Sequence, residues 1–164
     1  MPATYEPIAT TTLGSNASTI TLSSIPSTFT DLKLIFVGGN NDTPWMELKF
    51  NNTTSTYSDT EMYSTGAATA SARQSGATSM RIAYPLNSTN PSMVELDVFQ
   101  YTNTSYYKTV LSRASNDLNG SGNSWVSVGL WSSTAAINRI DLLAPGANLF
   151  YAGARVTLYG IKAA

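Results

Sequence analysis

Apolar and polar residues alternate along most of this chain, and this period of two constrains its fold more than any other feature. In one stretch Met46, Leu48 and Phe50 alternate with Glu47 and Lys49. Successive side chains of a β-strand point to opposite faces, so the alternation predicts strands with one buried and one solvated face. The same alternation gives the expected apolar face of further segments: Ile20 and Leu22; Leu32, Leu34 and Phe36; Met80, Ile82 and Tyr84; Val94, Leu96 and Val98; Tyr107, Thr109 and Leu111; Val126, Val128 and Leu130; Val156 and Leu158.

The spacing of these segments predicts the fold class. With a first strand near residues 5–13 and another near residues 137–143, about ten short strands are expected, separated by turn-rich connectors. Residues 66–76 are Ala-rich but bracketed by glycines and predict a loop, and residues 132–138 predict at most one capped turn. We therefore predict one domain, residues 1–164, folded as an all-β, antiparallel two-sheet β-sandwich of jelly-roll type.

The residue types that the chain lacks restrict its chemistry. Histidine and cysteine are both absent, which excludes thiol nucleophiles, imidazole proton shuttles and the standard zinc sites. We expect no metal and no cofactor. Glu95 and Asp97 stand two apart in a strand and share a face, a spacing that a glycosidase or a hard-cation site could use. The interpretation that we favour makes them the solvated face opposite Val94, Leu96 and Val98, so enzymatic activity is the weakest hypothesis.

The stretch NDLNGSGNSW, residues 116–125, resembles two kinds of ligand-binding loop. Asp117, Asn119, Ser121 and Gly122 match the first, third, fifth and sixth positions of an EF-hand calcium loop, but its twelfth position, which should be a bidentate Glu, is Val128. A phosphate loop would need a Gly-Lys-Ser/Thr ending and a helix start, and both are missing. Gly and Asn tolerate positive φ, so the stretch predicts the turn of a hairpin.

Charge is low and scattered along the chain. Nine basic and ten acidic residues leave a net charge of -1, and without a concentrated positive face we expect no nucleic-acid partner. No segment approaches the ~20 apolar residues that span a bilayer, and the first residues lack the pattern of a signal peptide, so we expect a protein that is soluble when made. A surface rich in Ser, Thr and Asn favours a role in an assembly.

Five segments together resemble a known group of proteins. They are ATYEPIATTTL, SSIPSTFTDLKLIF, YYKTVLSRASND, VGLWSSTAAINRIDL and AGARVTLYGIKAA. The chain resembles small virion proteins of tailed bacteriophages, notably phages of marine bacteria and cyanobacteria, over nearly its whole length. The resemblance implies a structural role on the exterior of a phage particle that is assembled in the host cytoplasm. It implies either a capsid decoration (cement) protein or a tail-fibre or receptor-binding module, and it carries no catalytic residues with it.

The first hypothesis is a decoration protein. It would be a homo-oligomer, most simply a trimer, which sits on the lattice of the major capsid protein and clamps neighbouring subunits through many weak contacts. The residues that we expect to contact the capsid or another subunit are Tyr5, Glu6, Gly66, Arg73 and Gly76.

The second hypothesis is recognition of host glycans. Trp45, Tyr57, Tyr63 and Trp125 could stack on sugar rings, with Asn and Asp side chains of residues 38–42 binding the hydroxyls. Trp45 is the best candidate for an exposed ring because it begins a strand on the polar face. The alternative for all four rings is packing in the core.

Overall fold

The chain is built from β-strands. A computed structural model describes residues 4–41, 45–54, 56–83 and 90–162, and in these ranges it contains twelve strands and no helix. None of the described segments is therefore a helix that could cross a membrane. The strands are β1 (Tyr5–Thr12), β2 (Thr19–Leu22), β3 (Asp31–Gly38), β4 (Met46–Phe50), β5 (Tyr57–Ser64), β6 (Thr69–Ala77), β7 (Met80–Ala83), β8 (Ser92–Val98), β9 (Lys108–Asp117), β10 (Gly122–Trp131), β11 (Ile140–Leu143) and β12 (Arg155–Ile161).

The strands form two antiparallel sheets. The large sheet has eight strands in the order β1-β12-β3-β8-β9-β10-β5-β6, and the small sheet has four in the order β2-β11-β4-β7. Buried residues of both sheets belong to one hydrophobic cluster, as in a β-sandwich. The predicted all-β, two-sheet antiparallel architecture is confirmed. The number of strands is two higher than expected because β5 and β6 were not predicted.

Most of the predicted apolar faces are confirmed. Leu34 and Phe36 of β3, Leu48 of β4, Val94 of β8 and Leu158 of β12 are fully buried. Each of these strands alternates between buried and more exposed positions along its length. Transfer of such side chains out of water is the main favourable contribution to folding, about 1.5–3 kcal/mol for each one fully buried. The core therefore lies between the two sheets, where the alternation predicted it.

Strands β9 and β10 bury the face opposite to the predicted one. Val126 and Val128 were expected in the core, but they are 40% and 50% exposed, and Trp125 and Trp131 are buried instead. Between these rings, Gly129 packs so closely on β7 that a Cβ there would lie 2.6 Å from the Sδ atom of Met80. An indole buries more apolar surface than a valine, so the face with two tryptophans takes the core. Tyr107, just before β9, and Thr109 are likewise exposed, and Leu111 is only partly buried, while Lys108, Val110 and Ser112 of β9 point inward.

One other local prediction is wrong. Residues 66–76 were expected to form a loop, but most of them belong to β6, which pairs with β5 in a hairpin. This error comes from judging local composition without knowing which strands lie next to the segment. Residues 132–138, for which at most one capped turn was expected, contain no helical turn; the N–H of Ala135 donates to the hydroxyl of Ser133 (3.2 Å) and the segment otherwise runs irregularly into β11.

Candidate interaction surface

An apolar patch lies on the outer face of the large sheet, which points away from the core. We call Met62, Leu111, Val126 and Val128 the central patch. They are neighbours because Val128 pairs with Leu111 across β9 and β10, and Val126 pairs with Met62 across β10 and β5. Met62 is 57% exposed. Contiguous apolar patches on a protein surface often mark interaction sites, so the central patch is the main candidate for contact with a partner.

A network of four charged side chains borders the central patch on the β8 side. Lys33 contacts both Glu95 and Asp97, with 2.9 Å from its Nζ to Asp97 Oδ1, and Arg113 Nη2 lies 2.9 Å from Glu95 Oε2. The hydrogen bond from Lys33 lowers the pKa of Glu95, although burial partly opposes it. Burial tends to lower the pKa of Lys33, but its two carboxylate partners outweigh this and raise it. The predicted outward orientation of Glu95 and Asp97 is confirmed, and both carboxylates are held by ion pairs.

Arg73 borders the central patch on the opposite side. It is an exposed residue of β6, its Nε donates to Thr60 Oγ1 (3.3 Å), and it forms no ion pair with any described residue. Strand register places Arg73, Thr60, Val128, Leu111 and Asp97 in one row across five adjacent strands. Along this row a cation lies at one end, apolar side chains lie in the middle and a carboxylate lies at the other end.

The five residues expected to contact a partner lie at opposite edges of the large sheet. Tyr5 and Glu6 belong to β1, one edge strand, and the Tyr5 side chain is exposed. Arg73 and Gly76 belong to β6, the other edge strand, and Gly66 lies in the turn before it with φ of +81°. The structure therefore does not bring them together into one site. Edge strands do present unpaired backbone groups that another chain can use.

Three of the predicted glycan-binding aromatic residues form one cluster with Arg81. The Tyr63 and Trp125 rings are stacked, with centroids 5.2 Å apart, and Trp45 lies 6.0 Å from Trp125 at a tilted angle. The Arg81 guanidinium lies 4.2 Å from the centroid of the Trp45 ring. Trp125 is only 2% exposed, so its ring is packed and does not present a face on which a sugar could stack. Trp45 and Tyr63 are partly buried against the core.

Tyr57 also does not fit the stacking hypothesis. It is fully buried, its ring stacks on Trp131 with centroids 6.3 Å apart, and its hydroxyl accepts a hydrogen bond from the Phe50 N–H (2.9 Å). The core-packing alternative therefore describes Tyr57. Asp42, the acid of the proposed hydroxyl-binding segment 38–42, lies outside the described residues.

A pair of buried carboxylates on β5 was not anticipated from the sequence. Asp59 accepts hydrogen bonds from the Arg81 N–H (3.0 Å) and the Gln74 side chain (2.5 Å), and Glu61 lies 3.4 Å from the Arg81 guanidinium. Burial raises the pKa of both carboxyls, and the charge of Asp59 raises that of Glu61 further. Within the described ranges no three acidic side chains are grouped to hold a metal ion. The only sequence signal is the spacing of Asp59 and Glu61, two apart in a strand.

A polar cleft of about 690 Å³ separates the tips of the β5–β6 and β9–β10 hairpins. The predicted turn in NDLNGSGNSW is confirmed, because residues 118–121 connect β9 to β10 and Asn119 has φ of +56°. Asp117 Oδ1 accepts the Asn119 N–H (2.7 Å), which ties this carboxylate into the turn. Hydroxyl, amide and backbone groups line the cleft, contributed among others by Ser64, Ser121, Asn123 and Ser124.

Comparison with known proteins adds no family to this geometry. The chain matches no protein-family model, and no curated protein is significantly similar to it in sequence. The surfaces described above therefore carry the functional argument, together with the resemblance noted in the sequence.

Proposed function

We propose that this chain is a non-enzymatic structural protein of a tailed-bacteriophage virion, a decoration protein that binds the outer surface of the major capsid lattice and stabilises it. The observation that carries the proposal is the central patch on the outer face of the large sheet. A protein that works as a soluble monomer gains nothing from exposing Met62, Val126 and Val128 side by side. A protein that works in an assembly needs such a surface, for contact with the capsid or with other copies of itself, and the sequence resemblance suggests which assembly it is.

The strand pairing supports a jelly-roll fold within this proposal. Strands β1, β2, β3 and β4 pair in turn with β12, β11, β8 and β7, all antiparallel. These pairs alternate between the large and the small sheet, as a long hairpin does when it is rolled into two sheets. Jelly rolls of eight strands recur in viral capsid proteins and lectins. Fold alone does not establish function, so this is support by analogy.

On the jelly-roll interpretation, the hairpins β5–β6 and β9–β10 are insertions. They extend the large sheet from four strands to eight, and they carry every residue of the central patch. The part of the fold that departs from a minimal jelly roll is therefore the part that presents the apolar surface. Many copies with modest contacts could together hold a capsid lattice firmly, because linked contacts reinforce one another.

Binding to capsids tests this proposal directly. Purified protein is mixed with decoration-free capsids of the phage that encodes it, and the particles are imaged by electron microscopy. Regular extra density at symmetry-related positions of the lattice is the expected result. Bare capsids at saturating protein, with labelling of the tail tip or of host cells instead, would contradict the capsid location.

The polar cleft between the hairpin tips favours a second candidate function, recognition of host-surface glycans by a tail-fibre or receptor-binding module. Its lining of hydroxyl and amide groups, with the carboxylate of Asp117 among them, suits a polyhydroxylated ligand, and the Tyr63–Trp125 stack lies beside it next to Ser64 and Ser124. Labelling of intact host cells by the fluorescent protein, lost in an Asn123→Ala variant and kept in Thr19→Ala, would support this function. Thr19 is exposed on the small sheet and serves as the matched control.

A further inference from the structure

We propose that a second copy of this chain covers the central patch, in a face-to-face dimer whose twofold axis runs along β10. The inference deepens the proposed function, on whose assembly role it rests, by naming the partner of the patch. Contact with a capsid would then use surfaces outside the patch, such as the β1 edge with Tyr5.

The distribution of charge across the outer face favours a copy of the same chain. Asp97 lies two strands from β10 on one side, and Arg73 lies two strands from β10 on the other side. Both occupy the row that contains Val128, because register links Arg73 to Thr60, Thr60 to Val128, Val128 to Leu111 and Leu111 to Asp97. A twofold rotation about the β10 strand direction exchanges the two sides of β10 and leaves the position along the strands unchanged.

This rotation makes the surface complementary to itself. It places Val128 against its symmetry mate, Leu111 against Thr60, and Arg73 against Asp97 twice in each dimer. Facing sheets pack about 10 Å apart, a distance that an arginine side chain can bridge to a carboxylate on the opposite sheet. Arg73, which forms no ion pair within the described part of its own chain, would gain one in the dimer.

The alternative twofold arrangement is less favourable. An axis across the strands through the row of Val128 would stack β6 on β6 and β8 on β8, which brings Arg73 near its own symmetry mate and Asp97 near its own. Like charges across an interface are unfavourable and select against that geometry. The charged residues therefore favour the twofold axis along β10, and the central patch supplies the apolar contact.

The area of the face fits a reversible dimer. Five strands spaced ~4.8 Å apart, each with about eight residues at ~3.3 Å per residue, cover roughly 600 Å² on each copy. Specific interfaces bury about 800 Å² per partner, so this contact belongs at the small end of the range. We expect dimerisation to depend on concentration between about 1 and 100 µM.

Sedimentation velocity of the full chain, without capsids, tests the inference. Wild-type protein is expected to shift from monomer to dimer over that concentration range, and Val128→Asp should remain monomeric because it places two carboxylates on the axis. Thr19→Asp makes the same chemical change at an exposed position of β2 and should dimerise like wild type. A wild-type protein that stays monomeric, or that sediments as the trimer expected for a capsid clamp, would overturn the dimer.

Mixing two charge-reversed variants tests the orientation. Arg73→Asp and Asp97→Arg should each dimerise at least tenfold more weakly than wild type, because each homodimer contains two like-charge contacts. An equimolar mixture should recover dimers, because in the heterodimer the introduced aspartate of one variant faces the introduced arginine of the other, and the second contact is the native pair. Failure of the mixture to recover, with both variants folded by circular dichroism, would exclude this axis. Capsid binding is measured separately. A monomeric protein that still decorates capsids would contradict the dimer but not the proposed function.

Discussion

The ring of Phe29 occupies the space that a side chain at Gly160 would fill. A Cβ at position 160 would overlap the Phe29 ring. Gly160 is a buried position of β12, and Phe29 packs against the core from the segment that precedes β3. The close approach of a ring to the backbone explains why a strand interior carries glycine there, at a cost in strand propensity.

Replacement of Gly160 by alanine should destabilise the fold. We expect the free energy of unfolding to fall by about 1–3 kcal/mol, because the Phe29 ring, which packs against the core, must shift to admit a Cβ. Urea denaturation followed by tryptophan fluorescence measures the change. Gly14→Ala is the matched control, since nothing lies within 4 Å of a Cβ at that position; its effect should stay within about 0.5 kcal/mol.

Lys108 should be essential to stability for a reason unrelated to salt bridges. Its side chain is buried, and its ammonium group donates to the backbone carbonyls of Asn103, Tyr106 and Thr134. Lys108→Met keeps the length of the side chain but removes the buried donor that three backbone carbonyls share, so we expect a loss of about 2–4 kcal/mol. Lys162→Met removes an exposed lysine and should cost about 1 kcal/mol or less. Equal losses in the two variants would refute the role assigned to Lys108.

Glu95 should stabilise the protein at neutral pH and lose that effect in acid. Its pKa is lowered in the folded state by the hydrogen bond from Lys33, so its contribution is present above the unfolded pKa of ~4.3 and disappears as pH falls through the folded value. Glu95→Gln should therefore lower the free energy of unfolding by about 0.5–2 kcal/mol at pH about 7, with a smaller difference at pH about 3. A difference that grows on acidification would contradict this ion-pair role.

The sequence predicted strands well where only one face is apolar. In β4, Met46, Leu48 and Phe50 oppose Glu47 and Lys49, and the structure buries the expected side. In β10 both faces are apolar, and counting aliphatic residues selected Val126 and Val128 over the tryptophans. The larger apolar area of the two indoles favours the opposite face, and the position of the small sheet, which is not local information, makes that face the inner one. A strand with two apolar faces is nevertheless a signal in itself, because one face must then find a second partner.

The two strands that the sequence did not predict, β5 and β6, and the candidate surface both depend on which strands lie next to one another. In β5 the buried positions carry Asp59 and Glu61 while Met62 points outward, so this strand lacks the usual alternation of buried apolar and exposed polar residues. Such a strand cannot be recognised without its neighbours, which provide Gln74 and Arg81 as hydrogen-bond donors to the carboxylates. The row from Arg73 to Asp97 likewise depends on strand order and register, which one sequence does not specify.

Glu61 should show a pH dependence opposite to that of Glu95. Burial and the charge of Asp59 raise the pKa of Glu61 in the folded state, although Arg81 partly opposes them. The folded protein then holds this proton more tightly than the unfolded chain, so the stabilising contribution is present below the unfolded pKa of ~4.3 and is lost as pH rises through the folded value. In Glu61→Gln the amide imitates the protonated carboxyl at every pH. The variant should therefore be at least as stable as wild type at pH about 7. As the pH is lowered toward about 4, the free energy of unfolding of wild type should rise relative to that of the variant.

Urea unfolding at both pH values measures this difference. Glu6→Gln, on the exposed β1 edge, is the control, and it should leave the change that depends on Glu61 intact. A difference between wild type and Glu61→Gln that stays constant with pH would mean that Glu61 does not titrate in this way.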